Sequence, residues 1–252
     1  MSWSFFTNTG AMKTSGQITG AVTTIASASS ISVTPGYTHL ITGTTAISTM
    51  TGGVAGGMVT LVASGQSTGV CVVLNNGTSS NNLSLRDAAN LGIYAGESVT
   101  LVYDGAKWVE VDRSLKTVLD TVSITANVTF TATTEATANT LITSNSVTFD
   151  GSTPIKIVFA SSEIVMPTNV NGTLVLYDGS SSVGYTNGMT QPTSALYGMG
   201  VPLRYEARLT PTAAARAYSI RGYVTSGTGT IYAGAGGSGA RRPGVLQIIR
   251  DL

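Results

Sequence analysis

The sequence predicts an all-β protein built from many short antiparallel strands. Apolar residues recur with a period of two in many short runs, and these runs are rich in Val, Ile, Thr and Tyr, which favour strands. Turn-forming pairs separate the runs and supply the positive φ that tight hairpins require. The pairs are Asn76-Gly77, Asp104-Gly105, Asp150-Gly151, Asp178-Gly179 and Asn187-Gly188. A single helical turn is expected only in the stretch SLKTVLD.

Changes in composition divide the chain into four parts. Residues 1–20 form an N-terminal arm, and residues 21–113 form a small antiparallel β domain. Residues 114–140 are Thr-rich connector strands, because their hydroxyls and β-branches suit an exposed strand. A second β domain fills residues 141–252.

The first β domain is predicted to end in a hairpin over residues 97–113. Val99, Leu101 and Tyr103 share one face of its first strand, because side chains alternate along a strand. After the Asp104-Gly105 turn the chain returns along a second strand that contains Trp108.

Charged residues are scarce and unevenly placed. They make up 10% of the 252 residues, against roughly 25% in a typical globular domain. Lys13 is the only Asp, Glu, Lys or Arg before Arg86. We therefore expect much of the first third to lie in a subunit interface or to be covered by hydroxyls and glycines. The net charge of +1 argues against a nucleic-acid partner.

The N-terminal arm has three aromatic residues, Trp3, Phe5 and Phe6, at a position where chains usually fray. Aromatic side chains contribute little until they are buried, so we expect these three to anchor the arm on a partner surface. The arm lacks the basic and apolar regions of a secretory signal, and no apolar run reaches the roughly 18 residues of a spanning helix. We expect no membrane insertion.

Candidate catalytic residues are few. Glu110 and Asp112 are two residues apart and are expected to share one strand face, as the carboxylate pair of a glycosidase would. With Arg113 adjacent and Val109 and Val111 pointing inward, the favoured interpretation is a solvated edge.

The single Cys is interpreted as a buried core residue, and the single His as a structural or surface residue. His39 has no second metal ligand at a suitable spacing, and Cys71 lies in the apolar run GVCVVL, where a buried thiol is typical. The glycine-rich segment GAGGSGARR lacks the Lys and Ser/Thr of a phosphate-binding loop. We expect no enzymatic activity, no cofactor and no metal.

Tyrosines are the remaining candidates for recognition. The second β domain contains several, and Tyr218, Tyr223 and Tyr232 near its end are interpreted as residues that either contact a ligand, such as a sugar, or pack in a seam between subunits. The alternative interpretation places them in the core.

Three stretches resemble proteins of tailed bacteriophages. Residues 155–252, with IKIVFASSEIVMP, GTLVLYDGSSSVGYT and the closing PGVLQIIRDL, resemble the jelly-roll domain of complement and tumour-necrosis-factor type that phages carry on virion proteins. The segment from YTHLITGTTAIST to GESVTLVYDGAKWVEVDRS resembles the small β modules of trimeric tail and fibre proteins. The start, SWSFFTNTGAMK, is similar to the N-terminal arm of minor structural proteins.

This resemblance implies a homotrimer that is anchored in the virion by its arm and carries a C-terminal β-sandwich jelly roll. Such a protein would assemble in the host cytoplasm and lie on the surface of the phage particle. Because the chain has no coiled-coil heptads or extended repeats, we expect a short tail-tip or fibre projection that contacts a host-surface glycan or protein. The alternative is a capsid decoration or head-fibre protein. A bacterial secreted lectin is a third, disfavoured option, since no signal segment is seen.

Overall fold

The protein is described here from a computed structural model, which covers residues 21–167, 170–190, 201–233 and 241–251. The described residues form β strands, and their only helix is a 3-10 turn at Glu135–Thr137. The all-β prediction is therefore confirmed. The SLKTVLD stretch forms no helical turn, because its last residues already belong to a strand.

Ten strands come from residues 22–114. They are β1 (Val22–Ala26), β2 (Ser30–Ser32), β3 (Thr38–Thr42), β4 (Thr49–Thr51), β5 (Met58–Ala63), β6 (Cys71–Leu74), β7 (Leu83–Ser84), β8 (Leu91–Tyr94), β9 (Ser98–Tyr103) and β10 (Trp108–Ser114). Six of them form the first sheet, in the order β1-β3-β5-β9-β10-β7. The remaining four form two small sheets, β2-β4 and β6-β8.

The chain from β1 to β5 winds as a short coil between two sheets. β1, β3 and β5 pair in parallel, and β2 pairs in parallel with β4. Gly43 and Gly52 have positive φ angles of 81° and 89° where the chain turns between the sheets. The prediction of an antiparallel first domain is wrong for this segment, because alternating strands separated by glycine turns occur in parallel coils as well as in hairpins.

Antiparallel pairing holds in the second half of the first sheet. β9 pairs with β5 on one side and with β10 on the other, and β9 and β10 form the predicted hairpin. Trp108 is fully buried and lies opposite Tyr103, with ring centroids 5.1 Å apart. Val99 and Leu101 are fully buried as well, as their alternation predicts.

Twelve strands follow in residues 118–250. They are β11 (Val118–Ile124), β12 (Val128–Phe130), β13 (Asn139–Thr143), β14 (Val147–Thr148), β15 (Ile155–Val165), β16 (Asn171–Asp178), β17 (Ser181–Thr190), β18 (Val201–Leu209), β19 (Ala215–Arg216), β20 (Tyr218–Val224), β21 (Gly229–Tyr232) and β22 (Gly244–Arg250). One sheet has the order β11-β22-β15-β21-β12, with β18 also paired to β15, and a second has the order β13-β20-β16-β17. This arrangement is consistent with a β-sandwich of jelly-roll type.

Buried side chains form two clusters. One contains Trp108 and belongs to the strands of residues 22–114, which we call the N-terminal unit. The other contains Phe159 and Tyr218 and belongs to the later strands, which we call the C-terminal unit. Cys71 and Tyr94 come from the first part of the chain but pack in the second cluster, so the two units share a buried boundary. No helix in the described segments is long and apolar enough to cross a membrane.

Candidate functional site

The outer face of the first sheet is a broad surface with almost no charge, and the strand register shows which residues lie on it. Residues that are paired across neighbouring strands point to the same face, and side chains alternate along each strand. The register runs from Val22 through Thr38, Thr60 and Thr100 to Asp112. The face consists of Val22, Thr24, Ala26, Thr38, Leu40, Thr42, Met58, Thr60, Val62, Ser98, Thr100, Val102, Val109, Asp112 and Ser114. We call this surface the open face.

No residue of the open face is buried by the described part of the chain. Val22 is 62% exposed and Met58 is 51% exposed, which is high for large apolar side chains. In the centre, the hydroxyl oxygens of Thr60 and Thr100 lie 3.1 Å apart in a hydrogen bond. Asp112 is the only charged member, and it lies on β10 at the rim of the face. A surface of β-branched and hydroxyl side chains with almost no charge is suited to a partner.

The outer face of the C-terminal unit has the opposite character where β15 and β18 pair. Lys156 Nζ lies 3.2 Å from Glu206 Oε1, and Arg208 Nε lies 3.4 Å from Asp251 Oδ2. Arg204 Nη2 contributes a further contact to Glu206 at 3.6 Å. The hydrogen bond from Lys156 lowers the pKa of Glu206, which remains exposed to solvent. This surface is hydrated in the way that a solvent-facing exterior normally is.

A buried ion pair joins the two units. Glu97 precedes β9 in the N-terminal unit and Arg250 ends β22 in the C-terminal unit, and both side chains are 1% exposed. The guanidinium donates to the carboxylate at 3.1 and 3.2 Å and to the carbonyl oxygen of Gly92 at 3.0 Å. Glu97 also accepts the N–H groups of Tyr94 and Lys116 at 3.0 and 2.7 Å. Both oxygens of this carboxylate are hydrogen-bonded, whereas the buried Nε of Arg250 has no hydrogen-bond partner in the described structure, and the pair links the two units directly.

Asp150 provides a second polar link at the junction. Its carboxylate accepts the N–H of Gly92 at 2.6 Å, the N–H of Ser152 at 2.8 Å and both the N–H and the hydroxyl of Thr153. Burial alone would raise the pKa of Asp150, but these hydrogen bonds outweigh it and hold the pKa below its ordinary value. The carboxylate therefore stays ionised while it joins residues from both units.

The carboxylates of the hairpin do not form the expected pair. A bulge between Glu110 and Asp112 inserts Val111 as an extra residue, so the two carboxylates point to opposite faces of the sheet. Glu110 is 8% exposed, whereas Val111 is 48% exposed, which reverses the predicted orientation of both. Arg113 donates a hydrogen bond to the Glu110 carboxylate, with its Nε 2.5 Å from Oε1. The predicted solvated edge is therefore wrong for Glu110.

His39 and Cys71 are both buried, which confirms the core position predicted for Cys71 and excludes a surface position for His39. His39 is 2% exposed and lies between the Thr23 hydroxyl, 2.5 Å from Nδ1, and the N–H of Thr34, which donates to Nε2 at 3.2 Å. Burial lowers the pKa of His39, although the Thr34 carbonyl oxygen, 3.3 Å from Nε2, opposes this because it can accept a hydrogen bond from the protonated ring. Burial also raises the pKa of the Cys71 thiol to about 12, with the charge of Asp150 adding to it. A thiol of this kind is inert.

The structure separates the candidate tyrosines. Tyr218 on β20 is 1% exposed and meets Phe149 edge-on at 6.2 Å, so its ring fills the core and is not available to a ligand or a neighbouring copy. Tyr223 on β20 and Tyr232 on β21 are half-buried and belong to different sheets. Their recognition role stays a prediction. The predicted anchors Trp3, Phe5 and Phe6 lie outside the described residues.

Metal ligands do not gather in the segments that the structure describes, where no group of three His, Cys, Asp or Glu side chains is placed to hold an ion. The residues that the sequence interpretation missed are Glu97 and Arg250. A signal exists for Arg250, since Leu246, Ile248 and Arg250 alternate along one strand and the first two are apolar. The partner of Arg250 is 153 residues away in the chain and no local pattern identifies it.

No protein-family model matches the chain, and no curated protein matches it. Among solved structures, it is similar to the VP2 subviral particle of infectious bursal disease virus, with 11% identity and a TM-score of 0.32 over 64% of this chain and 49% of that chain. It is also similar to a T=1 particle derived from the same virus, with 9% identity and a TM-score of 0.29 over 77% of this chain and 54% of that chain. The chain thus spans about half the length of these proteins. TM-scores of this size do not establish a shared fold.

Proposed function

We propose that the chain is a non-enzymatic structural protein of a tailed-phage virion, and that it forms a short trimeric projection at the tail tip or fibre. The observation that carries the proposal is the contrast between the open face, with Asp112 as its only charge, and the ion-paired outer face around Lys156 and Glu206. The sequence resemblance to phage tail and fibre modules supports the choice of virion.

The contrast in charge between the open face and the ion-paired face gives the N-terminal and C-terminal units different roles. An uncharged face of Thr, Val and Leu side chains is costly to leave in water over a whole sheet, whereas assembly covers it. A face with alternating charges of both signs remains soluble and favours outward projection. The N-terminal unit thus lies within the assembly, and the C-terminal unit extends away from it toward the host surface.

The buried junction suits a projecting subunit. Glu97 and Arg250 lock the C-terminal unit onto the N-terminal unit, so a load on the outer end is transmitted to the assembled end without a flexible linker. Rigid coupling is what a receptor-binding or decorating projection requires.

The N-terminal arm is proposed to fasten the subunit to the particle through Trp3, Phe5 and Phe6. Deletion of residues 2–13 should leave a folded chain that is lost from purified particles, as measured by immunoblotting of virions. Incorporation at the normal level would contradict anchoring by the arm.

Electron microscopy of intact phage particles with a gold-labelled antibody against the chain tests the proposal directly. Label at the tail tip or fibres is the expected result. Label spread over the head would overturn the tail location in favour of capsid decoration. Absence of the chain from washed particles, checked by mass spectrometry, would overturn the virion role itself.

A further inference from the structure

We propose that the open face binds the same face of further copies of this chain, and that this contact forms the seam of the oligomer. The inference rests on the proposed function and deepens it, because it names the partner of the surface described above. It is carried by the sheet register, the exposure of the face and its lack of charge.

Charge decides what kind of partner fits the open face. If a charged surface packed there, its charged side chains would lose their hydration without gaining a partner of opposite charge. This desolvation costs several kcal/mol for a close contact. The partner must therefore be uncharged over an area of similar size. A second copy of the open face meets this requirement, since Asp112 at the rim can stay in water while the central rows pair.

The central rows have side chains that suit a self-association surface. Thr38, Thr60 and Thr100 form one row, and their hydroxyls both donate and accept hydrogen bonds, so two identical rows can pair. The next row contains Leu40 and Val62, which supply apolar contact next to the hydroxyls. Hydroxyl and apolar side chains thus lie side by side on the face, so neighbouring copies can form hydrogen bonds and apolar contacts together.

The position of the face also favours further copies. It extends to β1, the first described strand, whose outer edge has no strand partner among the described residues. Within the described segments neither this face nor the β1 edge is covered, and such a surface is a site of association unless it is blocked by charge. Neither β1 nor β3 places a charged residue on this face.

Sedimentation equilibrium of the full chain at micromolar concentration tests the inference with matched variants. Thr60→Lys introduces a charge at the centre of the open face. Thr121→Lys makes the same change on β11 in the C-terminal unit, where Thr121 is exposed. We expect the native chain and Thr121→Lys to sediment as trimers of the 25.7 kDa chain. Thr60→Lys should sediment as the single chain, with association weakened about a hundredfold or more.

The outcomes separate this inference from the proposed function. An oligomeric native chain whose mass is unaffected by Thr60→Lys would overturn the seam and leave the virion role intact. Loss of association in both variants would also overturn the assignment to this face. A monomeric native chain would contradict the trimer of the proposed function. Circular dichroism checks the fold of each variant, and Thr38→Lys, one strand away in the same row, repeats the test if Thr60→Lys does not fold.

Discussion

The N-terminal and C-terminal units have similar interiors and different exteriors. Trp108 in one and Phe159 in the other are fully buried among aliphatic side chains. Outside, the first sheet presents Thr60 and Thr100 with almost no charge, whereas the later sheet presents Lys156 paired with Glu206. The same alternation of side chains builds both cores, so what distinguishes the units is the composition of the outward positions. Those positions differ in charge, so the first sheet has the exterior that we propose is covered by a neighbouring subunit, and the later sheet has an exterior suited to water.

The largest effect should come from the ion pair that couples the units. Glu97→Gln leaves the Arg250 guanidinium buried without its charge partner, and we expect a loss of about 3–5 kcal/mol in the free energy of unfolding. Urea denaturation measures it. The control is Lys156→Ala on the outer face, which should cost less than about 1 kcal/mol because Lys156 and its partners are partly exposed. Equal losses would show that the junction is no more important than a surface pair.

Two glycine turns in the parallel coil of the N-terminal unit should differ in how strongly a Gly→Ala substitution lowers stability. Gly52 and Gly36 both have positive φ angles, but a Cβ on Gly52 would collide with the backbone carbonyl of Val33, whereas a Cβ on Gly36 meets no atom. Gly52→Ala should therefore cost about 2–4 kcal/mol, and Gly36→Ala about 1–2 kcal/mol. Thermal unfolding of the two variants provides the comparison. Identical melting temperatures would contradict close packing at this turn.

The smallest effect should be a difference in the pH at which His39 and Asp150 stop contributing to the free energy of unfolding. The pKa of His39 is lowered in the folded state, so its contribution is complete above pH 6.5 and is lost as the pH falls below that value. The pKa of Asp150 is also lowered, but from 3.8, so its contribution is complete above about pH 4 and is lost at lower pH. Urea midpoints from pH 7 to pH 3 measure both losses. His39→Gln should remove the loss that begins below pH 6.5, and Asp150→Asn should remove the loss that begins below about pH 4. A single shared loss would contradict this assignment.

Some of this structure is predictable from sequence because it depends on local patterns. The hairpin of β9 and β10, the burial of Trp108 and the core position of Cys71 follow from alternation and a strong turn pair. The parallel pairing of β1 with β3 does not follow, because strand direction is set by how the chain turns between the sheets and not by the strands themselves.

The errors at individual side chains have specific physical causes. Glu110 is buried because it alternates with Trp108 on the inner face, which leaves Val109 on the outer face. The residue inserted at Val111 then reverses the face of the positions after it, so Asp112 is exposed. The burial of Tyr218 depends on the face of β20 that meets Phe149, which no local pattern defines. The pairing of Glu97 with Arg250 depends on contacts between distant parts of the chain, so the sequence around either residue does not predict it.

Thiol labelling of intact phage particles that are assembled with a Thr60→Cys or a Thr121→Cys chain tests whether the open face is covered by assembly. Cys71 is 2% exposed and gives little background. The account predicts that maleimide labels Thr121→Cys in intact particles, whereas Thr60→Cys is protected until the particles are dissociated in urea. Equal labelling of both sites in intact particles would contradict the claim that the uncharged face is covered by assembly.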